Sequence, residues 1–276
     1  MLNRVLTTVA GRAAPGLTEG AVDFLRFGIK QVRACVFAGS FFVLLFLSHH
    51  VTFGLHRYDF LFLSAVALQV VLLVTRVETF DEFKTIVVFH LLGFVLEAFK
   101  THPSIGSWHY PEPGIFKVLG VPLYSGFMYA AIGSYMAQSW RLLKLRLSGY
   151  PRIGLAATLC ALIYLNFFTH HFIYDFRYVL MVAVVVLFWR TRVHFTVSRR
   201  EYWIPMVSAF VLIAFFIWVA ENMATLLGAW KYPDQLITWT TVSLHKIGSW
   251  SLLVIVSLIL VAELKRVKER LEHAGG

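Results

Sequence analysis

The sequence predicts an all-α, polytopic membrane protein of about eight transmembrane helices, arranged as two parallel four-helix repeats, with an interfacial helix at the N-terminus. Three observations predict it. Of 276 residues, 58% are hydrophobic and 14% charged, against roughly 25% charged in a soluble domain; lipid can cover that much apolar surface and water cannot. Several apolar runs approach the roughly 20 residues that cross a bilayer core. An ordered set of residues also recurs between the two halves.

The runs lie at about 34–53, 59–75, 84–100, 121–139, 153–169, 174–190, 203–224 and 246–264. Asp175 and Arg177 interrupt the start of the sixth. Ahead of the first, 17–33 reads as an amphipathic helix. Val22, Leu25, Ile29 and Val32 share one face, with Asp23 and Lys30 opposite, while Phe24 and Phe27 blur the pattern. Arg4 and Arg12 break up the first 15 residues, so no cleavable leader is expected and the first span serves as the insertion signal. The 25 Phe, 11 Tyr and 8 Trp suit a chain packed in a bilayer and anchored at its surfaces. Cys35 and Cys160 both fall inside apolar runs and imply no bridge.

Charge gives the direction. The N-terminal segment and the segments around 76–84, 141–152, 190–200 and 265–270 carry most of the 25 Lys and Arg residues. The intervening segments carry Arg57, Lys100, Lys117, Arg177, Lys231 and Lys246. The positive-inside rule then places both termini in the cytoplasm and makes the span count even. The expected location is a plasma (inner) membrane. The expected divisions are a cytoplasmic N-terminus (1–33), a first repeat (34–140), a basic linker (141–152), a second repeat (153–264) and a basic tail (265–276). The net charge of +10 is read as topology bias, so the lipid bilayer is the expected partner and nucleic acid is not.

The duplication is read from ordered matches. His49-His50 recurs as His170-His171, Asp59-Phe60 as Asp175-Phe176, and Thr75-Arg76-Val77 as Thr191-Arg192-Val193. Glu97 recurs as Glu221. Gly106-x-Trp108-x-Tyr110-Pro111 recurs as Gly228-x-Trp230-x-Tyr232-Pro233, followed by Glu112 and Asp234 respectively. An even number of spans per copy sends both copies through the membrane in the same direction.

On that topology the repeated polar residues all fall at the extracytoplasmic face. Glu97 and Glu221 are the candidate catalytic acids, since each closes a long apolar run and an acid inside a membrane costs roughly 2.5–3.5 kcal/mol at mid-helix. A carboxyl that can keep its proton is what a general acid or a proton relay needs. His90 lies seven residues before Glu97 on the same helical face, and Lys100, three residues after it, is a possible ion-pair partner. The candidate binding residues are His49, His50, Asp59, His90, Lys100, Trp108, Tyr110, His170, His171, Asp175, Trp230 and Tyr232. The plainer reading is that the acids bond a neighbouring helix and the aromatics are belt anchors, although an anchor needs no fixed Gly-x-Trp-x-Tyr-Pro spacing. Adjacent histidines diverge by about 100° on a helix, and no His-x-x-x-His or Cys-x-x-Cys spacing occurs, so no metal site is expected. P-loop, dinucleotide-binding and nucleophile-elbow patterns are absent, and the cofactor stays unknown. Gly126, Gly133 and Ser134 are placed to let helices approach closely.

The run Glu97-Ala-Phe-Lys, Gly106-Ser-Trp-His-Tyr-Pro-Glu-Pro, Gly120-Val-Pro-Leu and Gly126-Phe-Met-Tyr-Ala-Ala-Ile-Gly-Ser-Tyr, with Ala220-Glu-Asn and Gly228-Ala-Trp-Lys-Tyr-Pro, resembles the bacterial integral-membrane family known as domain of unknown function 817 over nearly the whole chain. That resemblance implies no activity. A shorter resemblance, to membrane-embedded carotenoid cyclases and hydratases, rests on a Glu late in a helix, an aromatic Gly-x-aromatic-x-Tyr loop and Val121-Pro122-Leu123. It implies that Glu97 and Glu221 protonate a polyene. Three functions follow as expectations: an enzyme acting on a lipid or isoprenoid by acid chemistry, a proton-coupled transporter, or a non-catalytic protein binding a lipid or a partner. Substrate and oligomeric state are not encoded in any motif.

The charge bias is checked with reporters fused to the C-terminus. Green fluorescent protein, which folds in the cytoplasm, should fluoresce there, and alkaline phosphatase should be inactive; active phosphatase would reverse the orientation.

Overall fold

The computed structural model describes residues 15–274, with side chains described over 19–263. Among these residues the helices are α1 (Pro15–Ala34), α2 (Val36–Leu47), α3 (Arg57–Val74), α4 (Phe80–Lys100), α5 (Ser125–Leu142), α6 (Ile153–Thr169), α7 (Arg177–Phe188), α8 (Met206–Leu226) and α9 (His245–Ala274). Helices α2 to α9 fall on the eight apolar runs in order; most ends shift by a few residues, but α2 stops at Leu47 instead of 53 and α9 runs on to Ala274 instead of 264. By length and composition, α3, α8 and the His245–Glu263 part of α9 can cross a membrane, and the pair α1–α2, bent by 61°, would add a fourth. Helices α6 and α7 are apolar but shorter, at 17 and 12 residues. Outward faces carry large apolar side chains such as Phe46, Val70, Val74, Val186, Val211 and Phe216. A surface of that kind suits lipid contact rather than water.

Local chemistry sets several helix ends. Thr79 and Glu82 form a reciprocal capping box at the start of α4. Pro205 ends a strand and opens α8. Helices α4 and α5 come close because Gly93, Gly126 and Gly133 leave room for the Tyr129, His90 and Phe89 rings, where any Cβ would overlap them. That is the close approach expected of the small residues of α5.

The fold is mostly helical but not all-α. Strands β1 (Lys117–Val118) and β2 (Val121–Pro122) form a hairpin, and β3 (Arg146–Ser148), β4 (Arg192–Val197) and β5 (Arg200–Pro205) form an antiparallel sheet in that order. The reason is local: two alternating six-residue stretches flank the two-residue turn Ser198-Arg199, with Ser198 at φ 55°. This sheet organises α1. Lys30 donates to the Thr196 carbonyl at 2.9 Å, Tyr202 donates to Asp23 at 2.8 Å, and Phe27 packs on Phe195. Phe24, Leu25, Ile29 and Val32 point outward instead. Phe27 thus belongs to the sheet and Phe24 to the outward apolar face, which separates the two rings that blurred the sequence pattern.

Polarity is not confined to one end of the helices. Where α3 turns into α4, Glu78 is 1% exposed and accepts from Gln69 Nε2 at 2.5 Å, Gln138 Nε2 at 3.2 Å and the Ser134 hydroxyl. The equally buried Glu82 accepts from Arg141 Nε at 2.8 Å. These two acids, not singled out from the sequence, fold inward because α5 supplies donors for them.

Two apolar cores run side by side. One surrounds α9 and includes Ile163, Phe188, Phe210, Leu252 and Ile259. The other holds Phe37, Leu45, Tyr58, Leu61 and Tyr124, together with Ala229, Trp230 and Tyr232 from the second half. The loop after α8 is therefore packed into the core of the first half.

Removing the Glu82 carboxyl breaks a helix cap and an ion pair at once. Glu82→Ala should lower stability by about 1–3 kcal/mol, read as a fall in Tm in detergent. The exposed Glu19→Ala should change it by under about 0.5 kcal/mol.

Candidate functional site

The site lies where α4 and α8 end. Glu97, 2% exposed, accepts from Trp108 Nε1 at 2.7 Å and Tyr110 Oη at 2.8 Å on Oε2, and from Tyr129 Oη at 2.8 Å on Oε1. Glu221, 3% exposed, accepts from Trp250 Nε1 at 2.5 Å on Oε2 and from the Tyr232 hydroxyl on Oε1. Each acid thus has one oxygen pinned by an indole N–H, which can only donate, and the other facing a phenol, which can donate or accept. Among the described residues neither carboxyl has an ion-pair partner within 4.0 Å. The Trp108 and Tyr232 rings meet edge to face at 6.2 Å. The two acids share one aromatic network.

The loops that supply these rings are built alike. Gly106 and Gly228, the first residues of the two aromatic motifs, adopt φ values of 57° and 65°, a left-handed conformation that favours glycine. The loops then pair with each other. His109 N–H donates to the Lys231 carbonyl at 2.8 Å, and Lys231 N–H returns to the His109 carbonyl at 3.0 Å. His109 and Lys231 hold the same place in the two motifs, between Trp and Tyr.

Arg57 locks the arrangement from the side. It donates to Glu112 at 2.7 Å, Ser48 at 2.8 Å and the Gly228 carbonyl at 2.9 Å, and reaches the Leu227 carbonyl and His49 as well. Asp59 is 1% exposed and accepts backbone N–H bonds from Ile115 and Phe116 at 2.8–2.9 Å, so it shapes the loop that follows the first motif. Burial and Glu97 raise the Tyr110 hydroxyl well above its ordinary pKa, and burial and Glu221 do the same for Tyr232. Both stay protonated and donate.

The remaining candidates divide. Lys100 does not pair with Glu97; its Nζ lies 2.7 Å from His171 Nε2 and 3.3 Å from His170 Nε2. Asp175 accepts from Asn166 and pairs with Arg177 at 3.1 Å. His90 packs on Gly126 and on the Phe127 ring, away from the Glu97 carboxyl bonds. His50 is exposed beside Phe46, and Trp230 packs in the core against Tyr232. No group of three or more His, Cys, Asp or Glu residues able to hold a metal occurs among the described residues. Sequence reasoning passed over Tyr129, Trp250 and Arg57. Their signals were weak: Tyr129 and Trp250 each stand in the opening turns of the helix that follows an aromatic loop, and Arg57 was counted only as a loop charge.

Fold and site together define a class: a helical, lipid-compatible protein with two buried carboxyls held by aromatic donors. The chain belongs to the family described as "Protein of unknown function (DUF817)", which matches residues 23–258. It is similar to "Uncharacterized protein YoaT" of Bacillus subtilis (strain 168), with 48% identity over 249 residues, covering 90% of this chain and 94% of that one. No solved structure matches it.

Gly93 lies one helical turn before Glu97 and makes room for the Tyr129 ring. Gly93→Ala should destabilise by about 1–3 kcal/mol through overpacking. Gly39→Ala, which meets open space in α2, should be neutral or stabilising by up to about 1 kcal/mol. Thermal unfolding in detergent separates the two; equal shifts would remove Gly93 from its role.

Proposed function

We propose that this is an eight-span membrane enzyme of two parallel repeats, acting on a lipid or isoprenoid by proton chemistry at the extracytoplasmic face, with Glu97 and Glu221 as the paired acids. The observation that carries this reading is the shared design of the two carboxyls: each is buried, lacks an ion-pair partner within 4.0 Å, is fixed on one side by an indole, and faces a phenol on the other. Each can exchange a proton through a phenol, Tyr110 or Tyr129 for Glu97 and Tyr232 for Glu221. An acid that gives a proton and a second that takes one back complete an isomerisation or cyclisation with no oxidant or reductant.

Other features support the setting. A helix fills each apolar run, and the two aromatic motifs share a glycine conformation and meet through equivalent residues. These favour two copies of one unit. An open groove of about 390 Å³ is lined entirely by apolar side chains of α2 and α8, from Phe42, Val43 and Phe46 to Met223, Leu226 and Leu227. It lies beside His49 and Arg57, which bind the Leu227 carbonyl, and its shape and lining suit an acyl or isoprenyl chain. Lys246 stands over the Tyr232 ring at 4.3 Å, so this aromatic wall already receives a cation.

Cells expressing the protein should show a change in lipid or isoprenoid composition by mass spectrometry of extracts. Glu97→Gln and Glu221→Gln should each reduce it about 100-fold or more while inserting normally. An unchanged profile in both variants would overturn the reading. Proton flux in proteoliposomes, lost in the same variants, would assign the acids to transport instead.

A further inference from the structure

Beside the paired acids lie two lysines, Lys100 and Lys246, that interact electrostatically and make no direct ion pair. Lys100 is 5% exposed, and its ammonium is met by two imidazoles. His170 Nδ1 lies 2.8 Å from the Asn166 carbonyl, where it donates and leaves Nε2 as an acceptor for Lys100. Desolvation and the Lys100 ammonium push the His171 imidazole down to about 4, so it too is neutral. Lys246, in the first turn of α9, faces the Tyr232 and Trp108 rings at 4.3 and 6.0 Å. Among the described residues neither lysine has a carboxylate within 4.0 Å. Arg177 packs against Gly248 in the same turn of α9, but its charge is matched by Asp175 at 3.1 Å. Glu221 and Asp234 are both close enough to interact with Lys246, though the oxygens of Glu221 are taken by Tyr232 and Trp250.

A buried ammonium held only by neutral groups carries a desolvation cost that a counter-ion would offset. A phosphate monoester carries about −1.5 to −2 at pH 7 and offers three acceptor oxygens.

We propose that Lys100 and Lys246, with His170 and His171 as neutral supports, form a binding site for a phosphoryl group, the headgroup of a phosphate-bearing lipid whose chain lies along the apolar helices. This deepens the function proposed above and rests on it for the placement of the site at the outer face. It makes the substrate an amphiphile anchored by its phosphate, with its chain extending toward the acids.

The test is binding, so it reads independently of turnover. Purified protein in nanodiscs is titrated with phosphatidic acid or phosphatidylcholine and followed by native mass spectrometry; inorganic phosphate is added separately in detergent and followed by Tm. Phosphatidic acid should bind saturably and in preference to phosphatidylcholine. Lys100→Gln and Lys246→Gln should each raise its Kd about tenfold or more. Lys100→Arg should keep binding, and so should Lys84→Gln at the opposite end of α4. Glu97→Gln should bind as well as the unaltered protein even where turnover is lost. A rise in Tm with inorganic phosphate alone, abolished in the lysine variants, would support the site and assign it to the free anion. Equal binding of both lipids with no effect of phosphate, or phosphatidic acid binding untouched by the Lys100→Gln/Lys246→Gln pair, would overturn the proposal.

Discussion

A carboxyl taken out of water must have its oxygens bonded, because an unpaired buried polar group costs more than most single contacts return. Here that requirement falls twice at the same end of the helix bundle and is met without a cation. Glu97 draws in Trp108, Tyr110 and Tyr129; Glu221 draws in Tyr232 and Trp250. To supply those donors the loops after α4 and α8 must fold back over the helix ends. The left-handed glycines, the His109–Lys231 bridge and the five contacts of Arg57 follow from that return.

The same constraint operates at the opposite end with different chemistry. Glu78 is met by amides and a hydroxyl, and Glu82 by a guanidinium and a helix cap. Amides and guanidinium groups make a firm structural joint. Phenols make a joint through which a proton can pass in either direction, because their hydroxyl can turn. The contrast sets a firm joint at one end against the joint that the proposed proton chemistry needs at the other.

The helices were legible because long apolar runs are a strong signal, and their order survives in α2 to α9. The strands were overlooked because Arg192–Val197 and Arg200–Pro205 sit among basic residues that read as loop charge, although their alternation and two-residue turn carried a hairpin signal. Of the site, Glu97, Glu221, Trp108, Tyr110 and Tyr232 were found from a repeated motif, and the structure brings them together. Lys100 was matched to Glu97 by helical spacing alone, which cannot anticipate that His170 and His171 arrive from another helix pair. Tyr129 and Trp250 lacked a shared letter between the halves, so a reading based on repetition could not pair them.

Helix α4 is fastened at both ends, by the Arg141 ion pair at Glu82 and by the aromatic donors at Glu97. Fifteen residues separate these acids in sequence, or about 22 Å at 1.5 Å per residue. A helix that is free can tilt or slide to suit a thicker or thinner bilayer. This one would have to break a buried bond to do so. On the proposed eight-span reading, the distance between its two acids acts as a fixed gauge to which the surrounding lipid adjusts.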